Sequence, residues 1–329
     1  WQELSASSGE QPWRREGVYL VTGGAGGLGR IFAREIAQTA PGATLVLTGR
    51  ADMDGDKQGL VDELRAIGAK ATYRSLDVAD AHAVAGLVDA VVEEFGGLHG
   101  IVHGAGVKKD NFIIRKSVQE FDDVLRAKVA GLANLDEASR HLALDFLVCF
   151  SSVAGATGNL GQADYATANA YMDVYAAYRN SLPTPAQRSG RALSVNWPLW
   201  ADGGMRMDAT AQHQMFERTG MVPLATQAGI AAFYQAWASG QDQVMVMQGR
   251  LDRLRAGPAT APVRQAVADS ASTATALPRE HVKATLAQMV SRLLQVRLQN
   301  VDGDTELSDY GFDSITFTEL AGTLGREYK

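Results

Sequence analysis

Four residues of the chain have the types and spacing that acid–base chemistry needs. Ser152 ends an apolar segment predicted to be a strand, and Tyr165 follows it by thirteen residues on a predicted helix. Asn169 comes four residues after Tyr165, so the two side chains share one face of that helix. A free tyrosine has a pKa of ~10, too high for acid–base work near neutral pH, and a neighbouring cation would lower it. Lys128, on the predicted helix before the serine strand, is the best-placed lysine to supply that charge.

The same residues have structural interpretations as well. Ser152 could cap the end of a strand, Tyr165 could be a packing residue, and Lys128 could be a surface charge. Ligands of open parallel sheets bind beyond the carboxyl ends of the strands, however, and Ser152 lies at such an end. The pattern therefore favours a catalytic role for this set.

A glycine-rich segment connects the first predicted strand to an amphipathic helix. Its glycines let backbone N–H groups approach a pyrophosphate, and the helix N-terminus supplies partial positive charge. Because the segment lies in the first strand-to-helix turn, it predicts a dinucleotide site. The predicted cofactor-binding residues of this segment are Thr22, Gly23, Gly24, Gly26, Gly27, Leu28 and Gly29.

Polar residues at the ends of the next strands bear on the choice of cofactor. Arg50 follows the second strand, where an acid would favour NAD and an arginine accommodates the 2′-phosphate of NADP; a solvated surface arginine is the alternative. Asp77, after the third strand, could bond the adenine amino group or cap a helix. His103, at the end of the fourth strand, is interpreted as structural rather than catalytic.

Short apolar segments alternate with segments of helical period between residues 17 and 250, which predicts βαβ units. The short segments are apolar nearly throughout, as expected of parallel strands buried on both faces. The fold class is therefore α/β, a Rossmann-like doubly wound parallel sheet. The predicted strands are 17–22, 43–48, 70–76, 98–103, 145–151, 191–196 and 243–247, and the predicted helices include 27–40, 80–95 and 117–142.

Composition excludes several classes of protein. The chain has 329 residues, 46% of them hydrophobic and 21% charged, so it is an ordinary globular protein rather than a disordered one. Its net charge of −6 argues against nucleic acid as the main partner, and no apolar segment approaches the ~18 residues of a membrane helix. Cys149 is the one cysteine, which favours a reducing, cytoplasmic compartment. No pattern of metal ligands is found, so no metal is expected.

The character of the chain changes after residue 250. Residues 256–277 are mostly Ala, Ser, Thr, Pro and Gln, and the predicted linker is 251–277. An amphipathic helix is predicted over residues 278–298, and a second short helix is predicted to start near Ser314.

The catalytic set resembles the short-chain dehydrogenase/reductase family, and more narrowly the ketoreductase domain of modular polyketide synthases. The general family has a lysine four residues after its tyrosine, whereas this chain has Asn169 there and a lysine at 128, which is the polyketide ketoreductase pattern. Residues 151–173, reading SSVAGATGNLGQADYATANAYMD, and the later Asn196-Trp197-Pro198 resemble that domain closely. The resemblance covers residues 17–250.

The resemblance implies a role for each member of the set. Tyr165 would give a proton to the nascent alkoxide, and Ser152 would bond and orient the ketone oxygen. Lys128 and Tyr165 would also contact the cofactor, where Lys128 would bond the ribose and lower the pKa of the tyrosine. Asn169 would order a water that relays protons. The hydride would pass from NADPH to the β-carbon of a ketoacyl thioester.

Stereochemistry is also implied by the resemblance. Ketoreductases of this kind are sorted by a Leu-Asp-Asp motif, where this chain has Lys108-Lys109-Asp110, and by a tryptophan eight residues before the tyrosine, where it has Thr157. We therefore expect a B-type enzyme that forms the D-configured alcohol, although Asp110 could instead be a loop residue without a role. The positions that mark epimerising enzymes hold Leu160 and Asp164, so no epimerisation is expected.

Trp197 and Met205 are grouped with Asp110 as residues of stereocontrol and of a lid. Gly203 and Gly204 precede a methionine-rich segment and suit a hinge. Methionines at 205, 207 and 215 could contact a flexible acyl chain or be ordinary packing residues.

A second resemblance lies near the end of the chain. Residues 307–315, reading LSDYGFDSI, resemble the acyl-carrier-protein signature whose serine receives 4′-phosphopantetheine, and Ser314 would be that serine. On its own, Asp-Ser before an apolar segment is only a helix cap. Residues 278–329 accommodate the first two of the four helices of a carrier domain, so we expect a partial all-α segment that cannot bury a core alone.

The expected function is NADPH-dependent reduction of a carrier-bound β-ketoacyl thioester in polyketide biosynthesis, with an acyl carrier protein and other polyketide synthase domains as partners. The alternatives are a free-standing dehydrogenase acting on a small carbonyl compound, and a redox-silent scaffold that docks carriers. Residues 1–16 look like a linker from an upstream structural half, so the chain is expected to be part of a longer protein.

Overall fold

The computed structural model describes residues 2–4, 11–182, 188–205, 207, 209–256, 279–294 and 320. The chain divides into two compact units, Trp1–Ala259 and Thr260–Lys329. The predicted domain boundaries at residues 17, 250 and 278 stay predictions.

The first unit is built on one parallel sheet of seven strands. Its order is β3-β2-β1-β4-β5-β6-β7, and every neighbouring pair is parallel. The strands are β1 (Val18–Thr22), β2 (Thr44–Gly49), β3 (Lys70–Ser75), β4 (Gly100–His103), β5 (Phe146–Ser152), β6 (Arg191–Trp197) and β7 (Gln243–Met245). The predicted fold class is confirmed, because the order reverses direction between β1 and β4 as in a doubly wound sheet.

Helices follow the strands and cover both faces of the sheet. They are α1 (Gly27–Thr39), α2 (Gly55–Ile67), α3 (Ala81–Phe95), α4 (Val118–Leu125), α5 (Gly131–Ala138), α6 (Val153–Thr157), α7 (Ala163–Ser181), α8 (Ala209–Thr219), α9 (Thr226–Ala238), α10 (Leu251–Ala256) and, in the second unit, α11 (Arg279–Leu294). None of the described helices is long and apolar enough to cross a membrane.

Alternate residues of the strands build two separate apolar cores. Val21 of β1 belongs to the core that contains Phe32 of α1 and Phe233 of α9. Leu20, its neighbour, belongs to the core on the opposite face, with Met172 of α7. Successive side chains of a strand point to opposite faces, so a strand covered on both sides is apolar at nearly every position, as β1 and β5 are.

The predicted helix over residues 117–142 is divided in the structure. Between α4 and α5 the chain forms a π-helical segment, Arg126–Ala130, in which the Gly131 N–H donates to the carbonyl of Arg126, five residues earlier. Hydrophobic periodicity does not reveal such a segment, because one widened turn leaves the apolar face on either side intact.

Part of the predicted linker at the start of the chain packs on the first unit. Trp13 is buried and stacks on Phe233, with ring centroids 5.3 Å apart and planes at 4°. Its indole N–H donates to the hydroxyl of Tyr234 at 3.1 Å.

The second unit is described mainly at α11, which lies within the helix predicted over 278–298. Met289 and Val290 are buried. The first residues of the linker predicted over 251–277 form α10, and the rest of that linker, residues 257–277, lies outside the described residues. The second helix predicted near Ser314 and Ser314 itself also lie outside them.

Candidate active site

A deep cleft opens at the carboxyl ends of the strands, with a volume of about 940 Å³. Open α/β sheets bind their ligands at this edge. The predicted residues that line the cleft are Gly23, Gly26, Gly27, Leu28, Gly29, Lys128, Ser152, Tyr165, Trp197 and Met205. Thr22, Gly24, Asp110 and Asn169, all among the described residues, lie behind or beside this lining.

The glycine segment brings backbone to the cleft where no side chain would fit. A Cβ at Gly27 would lie 2.0 Å from the carbonyl oxygen of Gly203, and one at Gly23, whose φ is +65°, would lie 2.8 Å from the oxygen of Gly104. α1 starts here with Gly26 as its N-cap, and no side chain caps it. The free N–H groups of its first turn therefore suit an anionic ligand such as a pyrophosphate.

Thr22 has a structural role beside the glycines. Its hydroxyl lies 2.8 Å from Nδ1 of His103 and also accepts from the N–H of Ala105 at 3.3 Å. His103 is buried, and burial lowers the pKa of its imidazole to about 3. The pair ties β1 to β4 beneath the cleft, in keeping with the structural interpretation of His103.

A smaller cavity of about 220 Å³ adjoins the cleft at Gly23 and Gly106 and is lined by Arg50 and Asp77. Asp77 does not cap a helix: its carboxylate accepts from the N–H of Ala79, and Asp80 is the N-cap of α3. The helix-cap alternative for Asp77 is therefore wrong, because the chain makes one more turn before the helix begins. The glycine cradle, the adjoining cavity and the cation at its edge together fit a phosphorylated dinucleotide.

Ser152 and Tyr165 meet at the end of β5. Tyr165 is partly buried. Desolvation raises the pKa of its phenol, and the nearby side chains of Ser152 and Asn169 oppose that rise. Ser152 is also the N-cap of α6, since its Oγ accepts from the N–H of Ala154 at 3.2 Å. Ser152 is thus a cap, as one interpretation of the sequence had it, and the catalytic roles of Ser152 and Tyr165 stay predictions.

Lys128 is buried, so the surface-charge interpretation is wrong. The π-helical segment carries it, and its Nζ donates to the carbonyl of Phe150 at 2.9 Å and lies 5.6 Å from the ring centroid of Tyr165. Burial lowers the pKa of Lys128 to about 8, and electrostatic interactions with Cys149 and Asp173 oppose that fall. Burial keeps the pKa of Tyr165 high in the protein alone, so the lowering expected from Lys128 stays a prediction.

Asn169 lies one turn beneath Tyr165. Its Nδ2 donates to the carbonyl of Tyr165 at 2.7 Å, which leaves its Oδ1 buried without a hydrogen-bond partner among the described residues. A buried polar atom in that position needs a partner from outside the protein, such as a water.

The loop between β4 and α4, residues 104–117, forms the side of the cleft that faces α7. Its Asp110 accepts from Nε2 of Gln162 at 2.9 Å and pairs with Lys108 at 3.1 Å. The loop ends in a completely buried ion pair, in which Nζ of Lys116 lies 2.6 Å from Oδ2 of Asp164.

The segment after β6 forms the opposite side. Gly203 packs on Gly27, and methionines at 205, 207, 215 and 221 line the cleft beyond it. Met205 is 40% exposed, so its thioether is free to move against a bound molecule.

A family model described as the KR domain matches residues 17–202, and a model of the phosphopantetheine attachment site matches residues 284–329. The chain belongs to the KR domain family. Polyketide synthase PksN of Bacillus subtilis (strain 168) is 45% identical over 327 residues, and polyketide synthase PksL of the same organism is 41% identical over 346. These stretches cover 97% and 100% of this chain but only 6% and 8% of the two relatives.

Solved structures agree with the family. A ketoreductase domain from the bacillaene assembly line has 49% identity and a TM-score of 0.75, covering 77% of this chain and 61% of that one. A-type ketoreductases from a modular polyketide synthase have 32% identity and a TM-score of 0.67, over 77% and 52%. The resemblance predicted from the sequence is thereby confirmed.

The KR domain also contains a buried polar network that sequence reasoning missed. Asp173 accepts from Oγ of Ser194 at 2.6 Å and from Nδ2 of Asn196 at 2.7 Å. That same amide donates to Oγ of Ser151 and to the carbonyl of Ser152, at 3.0 and 2.9 Å. The network supports the end of β5 from behind, and burial raises the pKa of Asp173. Its one signal in the sequence is spacing, because Tyr165, Asn169 and Asp173 recur every four residues on α7.

No group of three or more His, Cys, Asp or Glu residues within the described ranges could hold a metal ion.

Proposed function

We propose that this KR domain reduces a β-ketoacyl thioester to the β-hydroxyacyl thioester with NADPH, on substrates tethered to a carrier. One observation carries the proposal: Ser152, Tyr165 and Lys128 line the same cleft as the glycine segment, with Nζ of Lys128 5.6 Å from the centroid of the tyrosine ring. Acid–base groups and a dinucleotide cradle in one cleft are the parts that carbonyl reduction needs.

The choice of NADPH rests on Arg50. It lines the smaller cavity at the end of β2, where a guanidinium would pair with a 2′-phosphate through charge-assisted hydrogen bonds. The glycine segment would hold the pyrophosphate against the first turn of α1. When bound, NADPH supplies the hydride.

Tyr165 acts as the proton donor in this mechanism. Its raised pKa keeps the phenol protonated at neutral pH, so it holds a proton until negative charge develops on the carbonyl oxygen. Ser152 donates a hydrogen bond to that oxygen and fixes the orientation of the ketone. The C=O bond thus becomes C–O–H, with the proton taken from Tyr165.

Lys128 and Asn169 restore the tyrosine. The phenolate left on Tyr165 would be stabilised by the ammonium of Lys128, and the buried Oδ1 of Asn169 would orient a water that returns the proton. Asp173 and Asn196 hold the backbone of Ser152 in place throughout.

Asp110 supports the stereochemical part of the proposal. We infer a B-type reaction that gives the D-configured alcohol without epimerisation, with Asp110, Trp197 and Met205 shaping the space above the cofactor. Asp110 reaches this region through Gln162, three residues before Tyr165.

The decisive experiment is turnover of NADPH with a β-ketoacyl thioester of a pantetheine analogue, followed by chiral analysis of the product. We expect NADPH oxidation and one dominant alcohol. Reduction of small free ketones in preference to the thioester would favour a free-standing dehydrogenase, and cofactor binding without turnover would favour a scaffold.

The carrier segment is tested separately. We propose that Ser314 receives 4′-phosphopantetheine, on the strength of the match over residues 284–329, and that the domain works in the cytoplasm beside other polyketide synthase domains. Incubation with coenzyme A and a phosphopantetheinyl transferase should add one arm by intact mass, and Ser314→Ala should abolish the addition.

A further inference from the structure

The ion pair between Lys116 and Asp164 is unusual for its burial. The side chains are 1% and 0% exposed, and the charged atoms lie 2.6 Å apart. Lys116 lies at the end of the β4–α4 loop, and Asp164 lies in the first turn of α7. The pair therefore joins a loop without regular structure to the helix that carries Tyr165.

Each member of the pair is also bonded within its own segment. Oδ1 of Asp164 accepts from the N–H of Tyr165 at 2.8 Å, so the carboxylate is fixed to the backbone of the proposed acid itself. Nζ of Lys116 also donates to the carbonyl of Lys109. The ammonium of Lys116 thereby connects both ends of the segment 109–116. The carboxylate of Asp164 connects that segment to the backbone of Tyr165.

Two further hydrogen bonds described in the structure join the two segments. The N–H of Asn111 donates to the carbonyl of Gly161 at 2.9 Å, and Gln162 donates to Asp110. The tip of the loop is open to solvent, since Ile113 and Ile114 are 68% and 88% exposed. These two side chains therefore contribute little packing, whereas the ion pair and the two hydrogen bonds tie the loop directly to the start of α7.

A buried ion pair contributes little to folding stability but can fix the relative positions of the two segments that it joins. Two charges lose their hydration on burial, so the pair adds little to stability compared with apolar residues of similar size, whereas breaking it by removing one partner is costly. What a buried pair does supply is a fixed geometry, because the ammonium and carboxylate must stay together. Val107 and Lys108 of the same loop line the cleft. The position of the loop therefore affects the shape of the space that the substrate would occupy.

We propose that Lys116 and Asp164 are positioning residues that hold the β4–α4 loop against the Tyr165 end of α7 and thereby determine which face of the ketone meets the cofactor. This inference rests on the proposed ketoreductase function. It extends stereocontrol from Asp110, at the surface of the loop, to a buried pair that sets where the whole loop lies.

Three variants of the full chain test the proposal: Lys116→Met, Asp164→Asn and the double variant, which leaves no buried charge. Arg179→Met is the matched control. Arg179 lies further along α7, away from the cleft, and forms a buried ion pair with Asp136 of α5. The measurements are the melting temperature, hydrogen exchange of amides 104–117, kcat and KM for the thioester, and the ratio of the two product alcohols.

We expect both single variants to melt lower and the double variant to recover much of the loss. In all three, loop amides should exchange at least about tenfold faster, KM should rise more than kcat falls, and the minor alcohol should increase. Arg179→Met should lower the melting temperature and leave exchange of the loop and the product ratio unchanged.

The proposal is overturned if the double variant regains the wild-type product ratio together with its stability, since the pair would then be structural only. Unchanged loop exchange in Lys116→Met would also overturn it. A wild-type chain that reduces no ketoacyl thioester would refute the proposed function instead, and hydrogen exchange would still decide whether the pair holds the loop.

Discussion

The two halves of the cleft are built in different ways. The cofactor half is made of backbone from one continuous segment, residues 22–29, with Arg50 added at its edge. The chemical half is made of side chains from three separate places, the π-helical segment, β5 and α7, which supply Lys128, Ser152 and Tyr165. The cofactor half depends on glycines that leave the backbone accessible, whereas the chemical half depends on the contacts that its side chains make.

This difference determines how each half responds to mutation. In the cofactor half any added atom collides with backbone, so the expected defect is in binding. In the chemical half a removed side-chain atom leaves the glycine segment intact, so the expected defect is mainly in kcat. The following variants test that separation.

The largest effect is expected from Tyr165→Phe. Loss of the proton donor should lower kcat by about 10²–10⁴-fold and leave the Kd for NADPH unchanged, as measured by NADPH oxidation and by fluorescence titration. Tyr178→Phe is the control, an exposed tyrosine on the same helix, and should be unaffected. Near-normal turnover by Tyr165→Phe would contradict the proposed mechanism.

Lys128→Met should change the dependence of stability on pH. The folded pKa of Lys128, about 8, lies below its ordinary value of 10.5, so between these values the unfolded chain binds more protons than the folded protein. Wild-type stability should therefore rise with pH across that window relative to the variant, by on the order of 3 kcal/mol.

Denaturant unfolding at a series of pH values measures this difference. Lys70→Met, at an exposed position of β3, should run parallel to the wild type. Parallel curves for Lys128→Met would mean that the buried ammonium is not destabilised by its surroundings.

Gly27→Ala should damage the cofactor half alone. The new Cβ would lie 2.0 Å from the oxygen of Gly203, and such overpacking costs about 1–3 kcal/mol, which we expect as a higher Kd for NADPH. Gly59→Ala is the matched control, because its Cβ meets no atom within 4 Å in α2, and it should bind normally. An unchanged Kd for Gly27→Ala would mean that the glycine segment does not need close backbone contact.

The smallest effect is expected from Arg50→Gln. Loss of a charge-assisted contact should raise the KM for NADPH about tenfold and leave the KM for NADH unchanged, so the ratio of the two is the measurement. Arg140→Gln, at an exposed arginine after α5, should alter neither. Equal changes for both cofactors would show that Arg50 does not read the 2′-phosphate.

Sequence reasoning succeeded where the signal was local. The seven predicted strands match the observed ones with end shifts of no more than two residues. The signal is clearest for central strands such as β1 and β5, which are buried on both faces and apolar nearly throughout. The glycine segment was equally readable, since its strand, turn and helix are contiguous. Residues 153–164, between Ser152 and Tyr165, were bridged by motif resemblance rather than by physics.

Partnerships between distant residues were not readable. Lys116 and Asp164 are 48 positions apart, and the pairing of Asn196 with Asp173 joins β6 to α7. No periodicity connects such residues, because their contact exists only once the sheet has formed. In the sequence, Asp164 was considered only as one of the positions that mark epimerising enzymes. In the folded chain its carboxylate pairs with Lys116.

The π-helical segment around Lys128 makes this site sensitive to chain length as well as to residue type. A π turn accommodates one residue more than an α turn over the same rise, so deleting any one of residues 126–130 would let α4 and α5 merge into one regular helix. The extra residue is accommodated within that one widened turn, so α4 and α5 would keep nearly their orientation while the remaining residues of the segment turned about the helix axis. Substitutions in this segment can be compensated by neighbouring side chains, but such a deletion would turn the lysine away from the carbonyl of Phe150 while every other residue stayed the same.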